Sequence, residues 1–407
     1  MLYLKLAVRN LMRNKRRTFI AGSAIGIGLA ALILMDAVMI GMEHNLVASA
    51  TESLLGEGQI HARGYRENLA VEEAVVDGDG MMAALGQDTL IAAYTRRAMA
   101  FAMITSPANL SAVTMIGIDP TTEPALSLVD EAVIEGSYLQ GNNPRDILIG
   151  SKLAEILETR IGARVVLTTA QAHTGDLAQE MFRVSGIYHF NVDAMDRSMV
   201  FIRLPQAQTM LGLGDDFHEI AMTFSDGSYG RNKQSPVWQH YSQNGNEAVS
   251  WTTILPEIEA LFELSKVGLY VGGLILFAVV SLGIVNTLFM SLYERMFEFG
   301  VLRAVGTRAI AMARLILLEA GALALLSIIL GSILGLVLTG LFSHYGIDYT
   351  GIEFSGVTFR EMLYPALTLD QFVVYPCGLF VFTLLVGLYP AAYAARMKPA
   401  EAMRRSF

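Results

Sequence analysis

Glu294, Arg295 and Glu298 are the residues whose types and spacing most invite chemistry. They follow a long apolar run, 267–292, and lead through Gly300, Val301, Leu302, Arg303 and Ala304 to Gly306. A helix carrying two carboxylates and a guanidinium can form charge-assisted hydrogen bonds to another protein, and truncating a desolvated interfacial charge typically costs about 2 to 5 kcal/mol. Gly300 reads as a helix breaker and Gly306 as a second stop, leaving a short segment between them. With apolar side chains such as Val301 and Leu302, that segment is poorly suited to lie free in water. The chemistry expected of it is recognition of a protein partner.

Motifs for bond making are missing from the sequence. There is no G-x-x-x-x-G-K-[ST] and no Gly-Lys pair, so the backbone cradle and lysine of a P-loop nucleotide site are lacking. No G-x-S-x-G or H-E-x-x-H occurs, and the histidines at 44, 61, 173, 189, 218, 240 and 344 lack metal-ligand spacing. Surface or locally hydrogen-bonded histidine is the better reading of each. A single cysteine, Cys377, excludes internal disulfides and cysteine-built metal sites. No catalytic residue and no metal ligand is expected. The net charge of −9 argues against a nucleic-acid binder, which needs a Lys/Arg surplus.

The elements that position this segment are membrane helices. With 53% hydrophobic and 16% charged residues and a mean hydropathy of +0.45, the chain is too apolar for an ordinary soluble protein. Four nearly uncharged runs, 19–40, 267–292, 315–341 and 372–393, are each long enough to cross a hydrocarbon core that needs about 20 helical residues. The expected organisation is an amphipathic inner-leaflet helix over 1–17, spans over 18–42, 266–293, 315–341 and 372–394, a large domain over 43–265, an inner loop over 294–314, an outer loop over 342–371 and a tail over 395–407. The fold class expected is an α-helical membrane protein with a mixed α/β extracytoplasmic domain between its first and second helices. Strands are expected over 58–63, 112–118, 146–149, 163–169, 181–187, 199–202 and 219–224, helices over 151–160 and 204–211, and a loop over 225–246.

Orientation follows from flanking charge, because cytoplasmic flanks are enriched in Lys and Arg. The opening segment, the loop after the second run and the tail carry 14 positive and 3 negative residues, net +11, so the remainder sums to −20. Both termini are expected in the cytoplasm and the large domain outside. The first run is longer than the usual signal-peptide core of about 7 to 15 residues, so an uncleaved anchor is expected. Two acids lie within the spans, Asp36 and Glu319. An intramembrane carboxylate is a functional candidate by default. Reaching the interface or pairing with a neighbour accounts for both positions better than a proton relay. Gly22 with Gly26, and Gly331 with Gly335, permit close helix approach.

Three segments resemble a known family. Leu6-Ala-Val-Arg-Asn-Leu-Met-Arg-Asn-Lys-Arg-Arg-Thr18, Glu294-Arg-x-x-Glu-x-Gly-Val-Leu-Arg-Ala-Val-Gly306 and the P-A-x-x-A-A-x-x-x-P-x-x-A-M-R close ending at Arg404 are similar to the FtsX/MacB-type, or type VII mechanotransmission, permeases of ABC transporters. Gly117-Ile-Asp-Pro120, Glu135-Gly-Ser-Tyr-Leu139 and Ile149-Gly-Ser-Lys-Leu-Ala154 are similar to family segments of the outer domain. Within the family the chain is most like the LolC/LolE lipoprotein-releasing permeases. The resemblance implies a bacterial inner-membrane subunit that pairs with a second permease, identical or related. It implies a cytoplasmic ABC ATPase dimer that binds ATP and Mg, this chain holding no cofactor of its own. A periplasmic lipoprotein carrier and membrane lipid are further implied partners. Glu294, Arg295, Glu298, Gly300, Val301, Leu302, Arg303, Ala304 and Gly306 would then be the ATPase-coupling residues. The alternatives are a MacB-like peptide or drug exporter, and a membrane-anchored receptor or scaffold without transport.

Overall fold

A computed structural model describes residues 9–10, 13–139, 141, 143–190, 192–350, 352–354, 357–358 and 362–397. Most of the expected 1–17 helix and most of the 395–407 tail lie outside the described residues. The chain divides into a helical unit, residues 1–43, 262–348 and 363–407, and a sheet unit, residues 44–261 and 349–362.

In the helical unit, α1 (Lys15–Ala50), α2 (Pro256–Glu294), α4 (Ala309–Tyr345) and α5 (Gln371–Arg396) are long and apolar enough to cross a membrane. The short α3 (Met296–Ala304) joins α2 to α4. Ile25, Leu29 and Ile33 of α1 share a core with Ile284 and Leu288 of α2, Ala320 and Leu323 of α4 and Leu379 of α5. Outward faces are apolar too: Tyr270, Leu274 and Leu282 of α2 are largely exposed, as a lipid or protein neighbour in the membrane requires.

One glycine of each pair meets the other, Gly26 against Gly331, while Gly22 faces Leu326 and Gly335 faces Ile33. A Cβ at Gly331 would stand 2.6 Å from the Gly26 carbonyl oxygen, and one at Gly26 would stand 3.0 Å from that of Ser327. Backbone meets backbone there, so a methyl group has nowhere to go. Gly331→Ala is expected to lower the stability of the purified chain by about 1 to 3 kcal/mol through overpacking, read as an earlier thermal transition in detergent. Gly340→Ala, with open space at its Cβ inside the same helix, is the control expected not to lower it.

The sheet unit is mixed α/β. The strands of its large sheet are β1 (Gly58–Ala62), β2 (Ile91–Thr105), β3 (Leu110–Ile118), β4 (Val133–Gly136), β5 (Asp146–Gly150), β6 (Arg164–Ala170), β7 (Leu177–Tyr188), β8 (Met199–Arg203), β9 (Glu219–Phe224) and β10 (Asn246–Ser250); Glu353–Phe354 and Val357–Thr358 pair as a separate two-stranded sheet. The large-sheet strands run in the order β10-β1-β9-β2-β3-β8-β5-β7-β4, with β6 bridging β2 and β7. Six of them, β2-β3-β8-β5-β7-β6, therefore close a ring around Ile104, Met115, Ile149, Leu167 and Phe182. The helix Leu204–Leu211 adds Leu204, Ala207 and Met210 to that core.

Several expectations differ from this. β2, β4 and β10 fall where no strand was expected, and the expected helix over 151–160 ends at Ile156. The stretch expected as a loop over 225–246 holds two short helices, Ser228–Arg231 and Pro236–Tyr241, because Trp238 and Tyr241 are buried there and anchor it. Within β2, Arg97 is fully buried, donating to Glu123 at 2.6 Å and to Glu219 at 2.9 Å. That triad pairs its charges inside the sheet unit, with Ser127 donating a further hydrogen bond to Glu123.

Candidate functional site

The segment 294–306 is built as a joint. Glu294 ends α2, Arg295 breaks the helix with φ −115° and ψ 14°, and α3 begins at Met296. Gly300 is thus not the breaker expected: it is buried inside α3, and the interruption falls five residues earlier at Arg295. Gly306 does stop the helix. It sits at φ +99°, its N–H donates to the Arg303 carbonyl and the Thr307 N–H donates to the Leu302 carbonyl. This pair of bonds satisfies carbonyls that a helix end otherwise leaves open, and the left-handed backbone favours glycine. The Arg303 guanidinium also donates to the Thr307 carbonyl at 3.2 Å, fixing the same turn, which follows directly on Ala304.

The charges of this joint are engaged within the chain. Arg17 donates to Glu294 at 2.6 Å, and Asn14 to its other oxygen at 2.9 Å. Arg13 donates to Glu298 at 2.9 Å. That bond and the nearby Arg295 hold the Glu298 carboxyl below its ordinary range. Arg295 is the centre: it donates to Glu298 at 3.1 Å and to Glu319 at 2.6 Å, and its guanidinium lies 4.8 Å from the Phe299 ring centroid. Asn10 gives Glu319 a second hydrogen bond at 2.6 Å. The intramembrane carboxylate Glu319 is accordingly a buried, doubly hydrogen-bonded partner. Asp36 lies apart from this cluster and is hydrogen-bonded with Tyr375.

Two faces of α3 differ sharply. Met296 and Phe299 pack with Leu292, Met312, Leu315, Ile316, Ala391 and Ala394. On the other side Phe297, Val301 and Leu302 are exposed, and Val305, just past the helix, is 83% exposed. A cleft of about 910 Å³ opens beside them, walled by Asn10, Arg13, Arg295, Glu298 and Leu315 among others. An apolar surface rimmed by charge is what a protein interface needs, with complementarity at the rim and desolvated anchors at the centre. Sequence reasoning did not find Asn10, Arg13, Asn14 and Arg17 as partners of this joint. The signal was an opening segment with six positive charges and no acid, which by sequence is assigned to topology, an inner-leaflet helix and the family's entry motif but not to Glu294 and Glu298.

The fold and site define an integral membrane permease, and the comparisons agree. Residues 18–229 match the family described as MacB-like periplasmic core domain, and residues 270–399 match the FtsX-like permease C-terminal family. The chain belongs to the FtsX/MacB-type family of ABC transporter permeases. It is 24% identical over 396 residues to the lipoprotein-releasing system transmembrane protein LolE of Haemophilus influenzae, covering 94% of this chain and 93% of that one. It is 20% identical to LolC of Neisseria meningitidis serogroup B, covering 98% of each. The periplasmic region of MacB from Actinobacillus actinomycetemcomitans aligns at a TM-score of 0.35 and 11% identity, over 52% of this chain and 95% of that one.

Proposed function

We propose that this chain is the permease subunit through which a separate cytoplasmic ABC ATPase dimer drives extraction or export of a lipoprotein or other amphipathic substrate. The observation that carries the reading is the division of the joint 294–306: Glu294 is bound to Arg17 of α1, Arg295 to Glu319 of α4 and Glu298 to Arg13, while the apolar Phe297, Val301 and Leu302 face outward. An ATPase seated on Phe297, Val301 and Leu302 would push a helix that cannot shift without moving α1 and α4. The nucleotide and its Mg stay on the ATPase, consistent with the missing P-loop. Lipoprotein as cargo rests on the Lol relatives and on spans whose middles lack charge, which suit an apolar cavity better than an ion path.

Two measurements test this. In a Cys377→Ala background, cysteine at exposed Ser228 should react with an impermeant thiol reagent in intact cells, and cysteine at Ser406 should not. The reverse pattern would put the joint on the wrong side for a cytoplasmic ATPase. Photo-crosslinkers along α1 and α2 should capture acylated protein in the nucleotide-free state. Capture of soluble peptide alone would favour the MacB-like exporter, and capture of neither would favour a receptor or scaffold.

A further inference from the structure

A second cleft, of about 540 Å³, lies at the foot of α1; it shares Arg13, Arg17 and Glu294 with the joint, while its Lys15 and Arg16 take no part in the ATPase reading. Arg13, Lys15, Arg16, Arg17, Ile20 and Glu294 line it, so four cations face one carboxylate. Arg13 and Arg17 are paired with Glu298 and Glu294. Lys15 and Arg16 are exposed, and among the described residues neither has a carboxylate within salt-bridge distance. The Arg17 Nε is buried and has no hydrogen-bond partner among them. Two uncompensated cations in one cleft call for an anion.

The next residues say which kind. Phe19 and Ile20, each 60% exposed, follow the cations within one turn, and they begin the apolar run of α1. A small soluble anion would satisfy the cations and leave that apolar surface bare. An acylated phosphate satisfies both. An acidic protein surface fits less well, because the face beside α3 that a protein would meet first is apolar.

We propose that this cleft is a phosphate site for an anionic phospholipid, with Lys15 and Arg16 on the phosphate and Phe19 and Ile20 along the acyl chains. The site rests on the inside placement of the chain start and on no coupling role for α3. A basic pocket beside a membrane helix, on the side facing the anionic leaflet, is chemistry suited to lipid headgroups.

The test is native mass spectrometry of the purified full chain with phosphatidylglycerol, phosphatidylcholine or inorganic phosphate added to the detergent. Phosphatidylglycerol should be retained over phosphatidylcholine, and Lys15→Gln and Arg16→Gln should each lower its retention by about fivefold. Arg308→Gln and Arg314→Gln, which remove exposed charges elsewhere, should leave it unchanged. An unchanged thermal transition in the cleft variants shows that they fold. Equal retention of the two lipids, or equal losses in both pairs of variants, would overturn the site. Displacement of the lipid by millimolar inorganic phosphate would make it a free-anion site and overturn the lipid form. ATPase co-purification lost with lipid retention intact would give the cleft to a protein partner instead.

Discussion

Arg295→Leu is expected to lower the stability of the chain by about 3 to 5 kcal/mol, the cost of leaving one member of a buried ion pair alone. The Arg295 and Glu319 side chains are 10% and 3% exposed and meet at 2.6 Å. Without the guanidinium, Glu319 keeps only the Asn10 amide among the described residues, and the joint loses its ion pair with α4. The double variant Arg295→Leu/Glu319→Leu should recover most of the loss, since a buried pair replaced by apolar groups is often close to neutral. Thermal unfolding in a mild detergent reads both. A double variant no better than the single one would show that Arg295 acts through packing on Phe299 and not through Glu319. Arg17→Gln, by contrast, removes a partly solvated pair and should cost less than about 1 kcal/mol.

The membrane helices were legible because a bilayer best explains four nearly uncharged runs of such length. The family was legible from motifs at the two ends of those runs. β2 was not. Its letters, Ile-Ala-Ala-Tyr-Thr-Arg-Arg-Ala-Met-Ala-Phe-Ala-Met-Ile-Thr, are rich in Ala, Met and Arg, which favour helix when judged locally. Its strand state comes from pairing with β9, β3 and β6 along its length, a tertiary effect that local propensity does not carry.

The joint shows the same boundary between local and distant information. Gly306 was readable, because a left-handed helix stop leaves a glycine in the sequence. Gly300 misled, because glycine also occurs where a helix packs closely, as it does at Gly26 and Gly331. The bonds from Arg13 and Arg17 to Glu298 and Glu294 cross more than 270 positions of sequence, and no spacing rule reaches that far. Their consequence is specific. Charges that looked free to hold an ATPase are engaged within the chain, and the docking surface passes to the apolar face.

That face carries the second large effect. Val301 and Leu302 are exposed, and their side chains make none of the joint's hydrogen bonds or ion pairs, so carboxylates there should spare the fold and spoil an interface. A central apolar anchor is typically worth about 2 kcal/mol or more, roughly a thirtyfold change in affinity. The most direct test is co-purification of the cognate ABC ATPase with the Val301→Glu/Leu302→Glu chain, alongside ATP hydrolysis by the complex. The expected result is a normally folded permease that loses the ATPase and the hydrolysis coupled to it. Full ATPase binding and full hydrolysis in that variant would contradict α3 as the coupling element.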